Sequence, residues 1–178
     1  MELTTPRLIL RPLQTEDGPA LAKATDESWD DLVPWMRWAD DRVQRTDIGN
    51  CTIYTRLCAA KFYSKQDFIF GGFAKGSDEF ILTARLTPMD GDLYEFGGFW
   101  CRSSQQNKGY MTEAVQAIIH YAFHTLNAKK VVISNAVGNA ISNAMINRLG
   151  FSEEGIKKGA HLLPDGRLID THIFALSR

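Results

Sequence analysis

Residues 105–114 combine the residue types and the spacing of an anion-binding site. Lys108 and Gly109 lie in a short polar stretch between a strand-like aromatic run, residues 94–101, and an amphipathic helix pattern. The first backbone N–H groups of a helix have no partner within the helix, and the positive end of the helix dipole lies behind them. A phosphate is stabilised at such a place, and the Lys108 ammonium adds a positive charge. The sequence therefore predicts that this segment binds a phosphorylated ligand.

The helix that follows this segment has the clearest periodicity in the chain. Its apolar residues recur every three or four positions, as one buried helix face requires: Met111, Ala114, Val115, Ile118, Ala122 and Leu126. An apolar strand at residues 131–133 comes next, and Asn139 opens a second helix that Gly150 ends. On this second helix the pattern predicts one shared face, made of Ile141, Ala144, Met145 and Leu149.

Further strands and helices complete a sheet beneath these two helix starts. Strand-like runs occupy residues 8–10, 68–74, 80–86, 94–101, 151–155 and 168–176, and residues 161–167 are predicted to form a hairpin loop. The pair Gly97-Gly98 predicts a bulge or a close backbone approach by a ligand. Helices are predicted around residues 21–24 and over residues 46–61, the latter with one face made of Ile53, Leu57 and Ala60. These patterns predict one α+β domain over residues 1–178, with helices packed against a mixed sheet.

Bulk composition restricts the classes of partner. The chain has 178 residues, 44% of them hydrophobic and 23% charged, which is ordinary for a globular protein. Its formal net charge of -1 gives no bulk attraction to nucleic acid or to an anionic membrane. Three cysteines without close pairing fit a reducing compartment better than a disulfide scaffold. Since the N-terminus lacks a signal-peptide core and no apolar run approaches the roughly 20 residues of a membrane span, the expected location is cytoplasmic.

Two motifs, in the same order, resemble those of the GNAT acetyltransferases. The first is Gly-Phe-Trp-Cys at residues 98–101 followed by Gln-Asn-Lys-Gly-Tyr-Met at residues 106–111, which is similar to the family's Gln-x-x-Gly-x-Ala loop. The second is Asn-Ala-Ile-Ser at residues 139–142 followed by Leu-Gly-Phe at residues 149–151. Three more segments resemble the RimJ/RimL branch, which acetylates protein N-terminal amines: residues 7–12, 35–38 and 163–167. The resemblance covers nearly the whole chain and implies the GNAT fold, with a mixed, mostly antiparallel sheet flanked by helices.

The resemblance implies that acetyl-CoA is the co-substrate. Backbone N–H groups of the loop would hold its pyrophosphate, and the strand at residues 99–101 would pair with its pantetheine arm and polarise the thioester carbonyl. The residues implied to bind it are Phe99, Trp100, Cys101, Gln106, Asn107, Lys108, Gly109, Tyr110, Met111 and Asn139. The family commonly has Gly at the position of Asn107 and Gly or Ala at that of Met111. The longer side chains here predict weaker binding of the pyrophosphate.

Three residues are candidates for the proton transfers that acetylation of an amine requires. The resemblance implies that the Ser142 hydroxyl gives a proton to the departing CoA thiolate, although a serine there also suits a helix start. Glu95 would accept the amine proton through water; the alternative is a surface carboxylate paired with a Lys or Arg. His161 is the other candidate base, or else a solvated loop histidine. Many RimL-like proteins carry a carboxylate near this histidine and this chain does not, so the base stays open between Glu95 and His161.

The resemblance implies a primary amine as the acceptor, with the α-amine of a protein N-terminus, such as a ribosomal one, as the first choice. Trp35 and Trp38 would belong to the segment that covers the acceptor, or else pack in the core. Direct transfer is implied rather than a route through an acetylated Cys101. His120 and His124 lie one helical turn apart, but without a third ligand the sequence predicts no metal site.

Three other functions and one assembly stay open at this point. A small-molecule amine, such as a polyamine, an amino acid or an antibiotic, would use the same co-substrate site, because that motif does not describe the acceptor pocket. A non-catalytic acetyl-CoA sensor is favoured only by the departures at Asn107, Met111 and near His161. A nucleotide binder with another phosphate loop would need Gly-x-x-x-x-Gly-Lys-Ser/Thr, which the chain lacks. A homodimer is open because dimers occur in the family.

Overall fold

A computed structural model describes all residues of the chain, 1–178. Its strands are Leu3–Thr4 (β1), Leu8–Pro12 (β2), Phe68–Ala74 (β3), Phe80–Pro88 (β4), Leu93–Cys101 (β5), Lys130–Ala136 (β6), Ser152–Leu162 (β7) and Leu168–Ser177 (β8). Its α-helices are Gly18–Glu27 (α1), Trp29–Leu32 (α2), Arg42–Thr46 (α3), Ile48–Tyr63 (α4), Tyr110–His124 (α5) and Ala140–Arg148 (α6). None of these helices combines the length and the apolar character that crossing a bilayer requires.

The eight strands form one sheet in the spatial order β1-β2-β3-β4-β5-β6-β8-β7. All neighbouring strands are antiparallel except β5 and β6, which run parallel. This pair is joined only at its beginning, where Leu93, Tyr94 and Glu95 pair with residues 130–132. Beyond Glu95 the two strands have no paired residues, so the sheet is split between their carboxyl ends. The predicted mixed, mostly antiparallel sheet is confirmed, and the split lies next to the starts of α5 and α6.

A bulge in β5 lies beside this split. The register between β4 and β5 shifts, because Thr83 pairs with Trp100 whereas Arg85 pairs with Gly97. Gly98 lies within the shift with a φ of 55°, in the left-handed region that glycine adopts without a steric penalty. The bulge that the glycine pair predicted is therefore present. It turns the last residues of β5 relative to the first ones.

Two apolar cores cover opposite faces of the sheet. Successive residues of β3 alternate between them, since Phe68 and Phe70 belong to the larger core and Ile69 to the smaller one. The larger core packs the sheet against α5, whose predicted face is confirmed by the full burial of four of its residues, Ala114, Val115, Ile118 and Ala122. The smaller core packs the other face against α1, α2 and part of α4.

The helix predicted over residues 46–61 is present as α4, but it begins at Ile48, because Asp47 leaves the helical conformation and caps α4 with its carboxylate. Three other local predictions were wrong. The apolar face predicted for α4 points to solvent, since Ile53 and Leu57 are each about half exposed. The buried residues of this helix are Cys51, Thr55, Cys58 and Phe62. Apolar residues occur all around this helix, and its buried side is the one that places Cys51 and Cys58 in the smaller core and Phe62 in the larger one.

The first turn of α6 and the terminal hairpin also differ from expectation. Ile141 is 77% exposed, because the start of α6 protrudes past the core, and only Met145 and Ile146 are buried in this helix. The strand β7 continues to Leu162, so His161 lies in a strand and the hairpin loop is shorter than predicted.

Candidate active site

The loop that joins β5 to α5 presents unpaired backbone N–H groups. A 3-10 turn at Ser103–Gln105 leads to Asn107 and Gly109, whose φ angles of 59° and 81° lie in the left-handed region. Gly109 is the N-cap residue of α5, and no side chain caps this helix. In contrast, the side chains of Asp47 and Asn139 cap α4 and α6. The first N–H groups of α5 are therefore free to bind a ligand, and the positive end of the helix dipole favours an anion there.

The two positions that depart from the family loop lie in different surroundings. Asn107 is exposed and left-handed, a conformation that asparagine adopts more readily than most other non-glycine residues. Met111 packs against the larger core, as does Tyr110, so both side chains are directed into the protein. Lys108 is exposed, and its ammonium donates to the Gln105 side chain at 2.8 Å. The backbone shape of a glycine loop is thus kept, and of the two departures only Asn107 adds an exposed side chain.

The conformation at Asn107 leads to a testable expectation. Asn107→Gly should keep CoA binding, whereas Asn107→Val should weaken it roughly tenfold, because a left-handed conformation costs other L-residues about 1–2 kcal/mol. Isothermal titration calorimetry with CoA measures both. Equal affinity of the Val variant and the wild type would show that this turn is not used in binding.

The start of the loop is anchored to α1 and α2. Arg102 binds Glu27 at 2.6 Å and Glu79 at 2.7 Å, and the backbone N–H of Ser104 donates to Glu27 at 3.1 Å. The hydrogen bond from Arg102 lowers the pKa of Glu27 to about 2. The contribution of this pair to stability is thus complete above the ordinary pKa of 4.5 and is lost as the pH falls towards 2. The Gln106 amide donates to Asp31 in the same region, at 3.0 Å.

The side chains of residues 99–101 serve the structure of β5. Phe99 stacks on Phe96 with ring centres 5.3 Å apart. Trp100 is buried in the smaller core, 6.0 Å from the ring of Phe80 and 6.4 Å from that of Trp38. What these residues can offer a ligand in the split is therefore mainly their backbone.

Cys101 lies in the same strand as a half-buried thiol. Burial raises the pKa of this thiol to about 11, so it is protonated and a poor nucleophile at neutral pH. Cys101→Ala is therefore expected to keep acetyl transfer within roughly twofold of the wild type, since a protonated thiol does not attack a thioester. Trapping of an acetylated protein by mass spectrometry, lost in this variant, would contradict that expectation.

The start of α6 presents the Ser142 hydroxyl beside the split. The Asn139 side chain accepts a hydrogen bond from the Ser142 backbone N–H at 3.2 Å and so provides the predicted cap. Asn143 fixes this turn to the end of β6, since its side-chain Oδ1 accepts a hydrogen bond from the side-chain Nδ2 of Asn135 at 2.7 Å. The half-buried Ser142 hydroxyl makes no hydrogen bond within the protein, so it is available to a ligand.

Glu95 lies where the split begins. It is the last residue of β5 that pairs with β6, and its cross-strand neighbours are Thr87 in β4 and Val132 in β6. The side chain is half-buried and forms no ion pair, unlike Asp67, which binds Arg85 at 2.8 Å on a neighbouring strand. The alternative of a surface carboxylate paired with a Lys or Arg therefore does not describe Glu95.

His161 and Trp35 are joined directly, although 126 residues separate them in the chain. The Nε2 atom of His161 lies 2.8 Å from the Trp35 carbonyl oxygen. Because a carbonyl oxygen only accepts, Nε2 carries the hydrogen of this bond. The ring of Trp35 reaches Gly138, where an added Cβ would lie 3.4 Å from it. These contacts place Trp35 and His161 next to the turn that starts α6.

An open cavity of about 800 Å³ lies at this place. Trp35 lines it together with residues that the sequence did not single out: Val33, Pro34, Val137, Gly138, Leu168, Ile169 and Asp170. Four residues of the hairpin segment that resembled the family complete the wall: Leu163, Pro164, Asp165 and Arg167. Trp38 does not line the cavity, because it packs against the smaller core. No local pattern marks the other lining residues, since they come from three distant parts of the chain.

The predicted residues thus form two groups. The loop at residues 106–111, the end of β5, Glu95 and Ser142 surround the split of the sheet. Trp35 lines the adjoining cavity, and His161 does not line it but is bonded to the Trp35 backbone.

Comparisons with known proteins identify the family of the chain. A family model described as an acetyltransferase (GNAT) domain matches residues 7–152. The ribosomal protein uS5-alanine N-acetyltransferase of Escherichia coli (strain K12) is 29% identical over 184 residues, which cover 99% of this chain and 91% of that protein.

Solved structures share the fold at lower identity. RimL, a ribosomal L7/L12 alpha-N-protein acetyltransferase in complex with coenzyme A, has a TM-score of 0.89 and 20% identity, covering 99% of this chain and 98% of that one. The microcin C7 self-immunity acetyltransferase MccE, in complex with acetyl-CoA and AMP, has a TM-score of 0.87 and 19% identity, covering 97% and 93%. With the family match over most of its length, the chain belongs to the GNAT acetyltransferases, as an N-acetyltransferase of the RimJ/RimL type.

Proposed function

We propose that the protein transfers the acetyl group of acetyl-CoA directly to the α-amine of a protein N-terminus. The observation that carries the proposal is the common position of three features at the split: the uncapped start of α5, the free Ser142 hydroxyl and the unpaired Glu95. The first suits a pyrophosphate. The other two are an acid and a base on either side of a site where a thioester and an amine would meet.

Each residue has one task in the transfer. The amine attacks the thioester carbonyl carbon, which forms a C–N bond, and the C–S bond then breaks. Glu95 accepts, through water, the proton that the amine loses. Ser142 gives its proton to the departing sulfur, which leaves as the CoA thiol, and water returns a proton to the serine oxygen. The proton held by Glu95 passes to solvent, which restores the carboxylate. A backbone N–H of the bulged end of β5 stabilises the negative charge on the carbonyl oxygen in the transition state.

The cavity beside the split supports a peptide as the acceptor. Its wall is largely apolar, and its charged residues are paired: Asp165 binds Arg167 at 2.7 Å and Asp170 binds Lys158 at 2.6 Å. An extended N-terminal peptide fits an open groove of this kind. One relative that matches the chain over nearly its whole length is named a ribosomal protein uS5-alanine N-acetyltransferase, which favours a ribosomal acceptor.

A small-molecule amine is the second candidate acceptor. The observation that favours it is the cavity volume of about 800 Å³, which lies in the range of small-molecule sites. The fold neighbour MccE was solved in complex with acetyl-CoA and AMP.

The test is CoA release, detected by thiol titration, from the purified protein with acetyl-CoA and a panel of acceptors. The panel contains N-terminal peptides of ribosomal proteins, polyamines, free amino acids and aminoglycosides. Turnover confined to peptides with a free α-amine supports the proposal, and an N-blocked copy of the same peptide is the matched control. Turnover confined to a small amine would show that the acceptor is a small molecule and not a protein N-terminus. Binding of acetyl-CoA, seen as a raised melting temperature, without turnover of any acceptor would favour the sensor.

A further inference from the structure

The N-terminal segment of the chain holds the first turn of α5. The Arg7 guanidinium lies against Glu113, with Nε and Nη2 each 2.7 Å from the carboxylate oxygen Oε2. The other oxygen, Oε1, accepts from the Arg7 backbone N–H at 2.8 Å and from the Thr5 hydroxyl at 2.6 Å. Four donors therefore fix a helix residue that lies 106 positions away from Arg7 in the chain.

The same guanidinium contacts the turn that precedes α5. Its Nη1 donates to the Lys108 carbonyl oxygen at 2.8 Å, and its Cζ lies 4.5 Å from the centre of the Tyr110 ring. A Cβ added to Gly109 would lie 3.4 Å from Nη2. Because a trans peptide unit is planar, a Lys108 carbonyl held on the Arg7 side directs the N–H of Gly109 to the opposite side. Arg7 thus sets the direction of an N–H group at the start of the anion site.

Glu113 creates an electrostatic conflict that Arg7 resolves. It is the acidic residue in the first turn of α5, and its side chain is only 14% exposed. Burial alone would raise the pKa of Glu113, but the hydrogen bonds from Thr5 and Arg7 bring it below its ordinary value, so the group is ionised at neutral pH. An unpaired carboxylate at this helix start would compete with a phosphate for the positive end of the dipole. The bidentate contact with Arg7 neutralises it.

We propose that Arg7 is a positioning residue for the pyrophosphate site. It orients the turn at residues 107–109 through the Lys108 carbonyl and cancels the charge of Glu113 beside the phosphate. The inference rests on the proposed binding of acetyl-CoA and adds to it a residue from the other end of the chain.

The experiment compares the wild type with Arg7→Gln and Arg7→Lys. Arg42→Gln is the matched control, since Arg42 is similarly exposed and binds a carboxylate of α1, Asp26, at 2.9 Å. Calorimetry gives the Kd of CoA, which needs no acceptor. Transfer assays then compare acetyl-CoA with S-acetylpantetheine, which has the same thioester but lacks the pyrophosphate and the nucleotide. Thermal unfolding confirms that each variant is folded.

Arg7→Gln is expected to weaken CoA binding roughly tenfold or more, because it removes charge-assisted hydrogen bonds from the turn. The KM for acetyl-CoA should rise by a similar factor with kcat nearly unchanged, and transfer from S-acetylpantetheine should be unaffected. Arg7→Lys keeps the positive charge but lacks the planar set of guanidinium donors, so its Kd for CoA should lie between those of the wild type and Arg7→Gln. Arg42→Gln should bind CoA as the wild type does.

Two results would overturn the proposal. One is a Kd of the Arg7→Gln variant close to that of the wild type. The other is an equal loss of transfer activity with acetyl-CoA and with S-acetylpantetheine, which would show that Arg7 has a general structural role. Failure of the proposed function looks different: the wild type then binds CoA, Arg7→Gln weakens that binding, and no acceptor is acetylated.

Discussion

A Glu95→Gln variant is expected to lose roughly 100-fold or more in kcat for acetyl transfer, the usual contribution of a general base. Glutamine has nearly the same shape and keeps the strand pairing with Thr87 and Val132, but it cannot accept a proton. Because the side chain lies at the beginning of the split and away from the loop, the Kd of CoA should stay within about twofold. Steady-state kinetics with a saturating acceptor, together with calorimetry, measure both quantities.

The matched controls are Glu154→Gln and His161→Gln. Glu154 pairs with Lys130 on the surface at 2.7 Å, so its replacement should leave kcat unchanged. His161 holds Trp35 through Nε2, so its replacement should mainly raise the KM of the acceptor. If Glu95→Gln keeps its turnover and His161→Gln loses it, the histidine is the base and the assignment of Glu95 is wrong.

A Ser142→Ala variant is expected to lower kcat by roughly 100-fold, because the thiolate then leaves without a proton donor. The melting temperature should not change, since the hydroxyl does not cap α6 and makes no hydrogen bond within the protein. Asn139→Ala makes the useful contrast. It removes the cap and should cost about 1 kcal/mol in the free energy of unfolding.

Ser134→Ala, an exposed serine on β6, is the control for the loss of a hydroxyl near this site. If Ser142→Ala has the same kcat as Ser134→Ala, Ser142 is not the proton donor. A loss of stability equal to that of Asn139→Ala would show instead that Ser142 belongs to the helix start.

The elements around the split were predictable because their signals are local. The periodicity of α5, the glycine pair of β5 and the Asn139 cap each depend on residues within one element, and all three are confirmed. The buried side of α4 was not predictable, because apolar residues occur on both of its faces. Only tertiary contacts select one face, through Cys51 and Cys58 in the smaller core and through Phe62, whose ring meets those of two phenylalanines of β3.

The candidate site shows the same limit at longer range. The loop, Glu95 and Ser142 could be proposed from motifs. The link between His161 and Trp35 spans 126 residues and that between Arg7 and Glu113 spans 106, so neither pair has a sequence signature. The cavity walls were missed for the same reason. Gly138, for example, matters because the ring of Trp35 lies against it.

The incomplete pairing of β5 and β6 has a thermodynamic consequence. Peptide groups along the facing edges of the two strands lack strand partners in the free protein, so part of the sheet contributes less to folding than it could. A co-substrate that binds there as the missing strand links its own concentration to the folding equilibrium. At 100 times its Kd it would add about 2.7 kcal/mol to the free energy of unfolding. The lifetime of this protein in a cell would then rise and fall with the supply of acetyl donor.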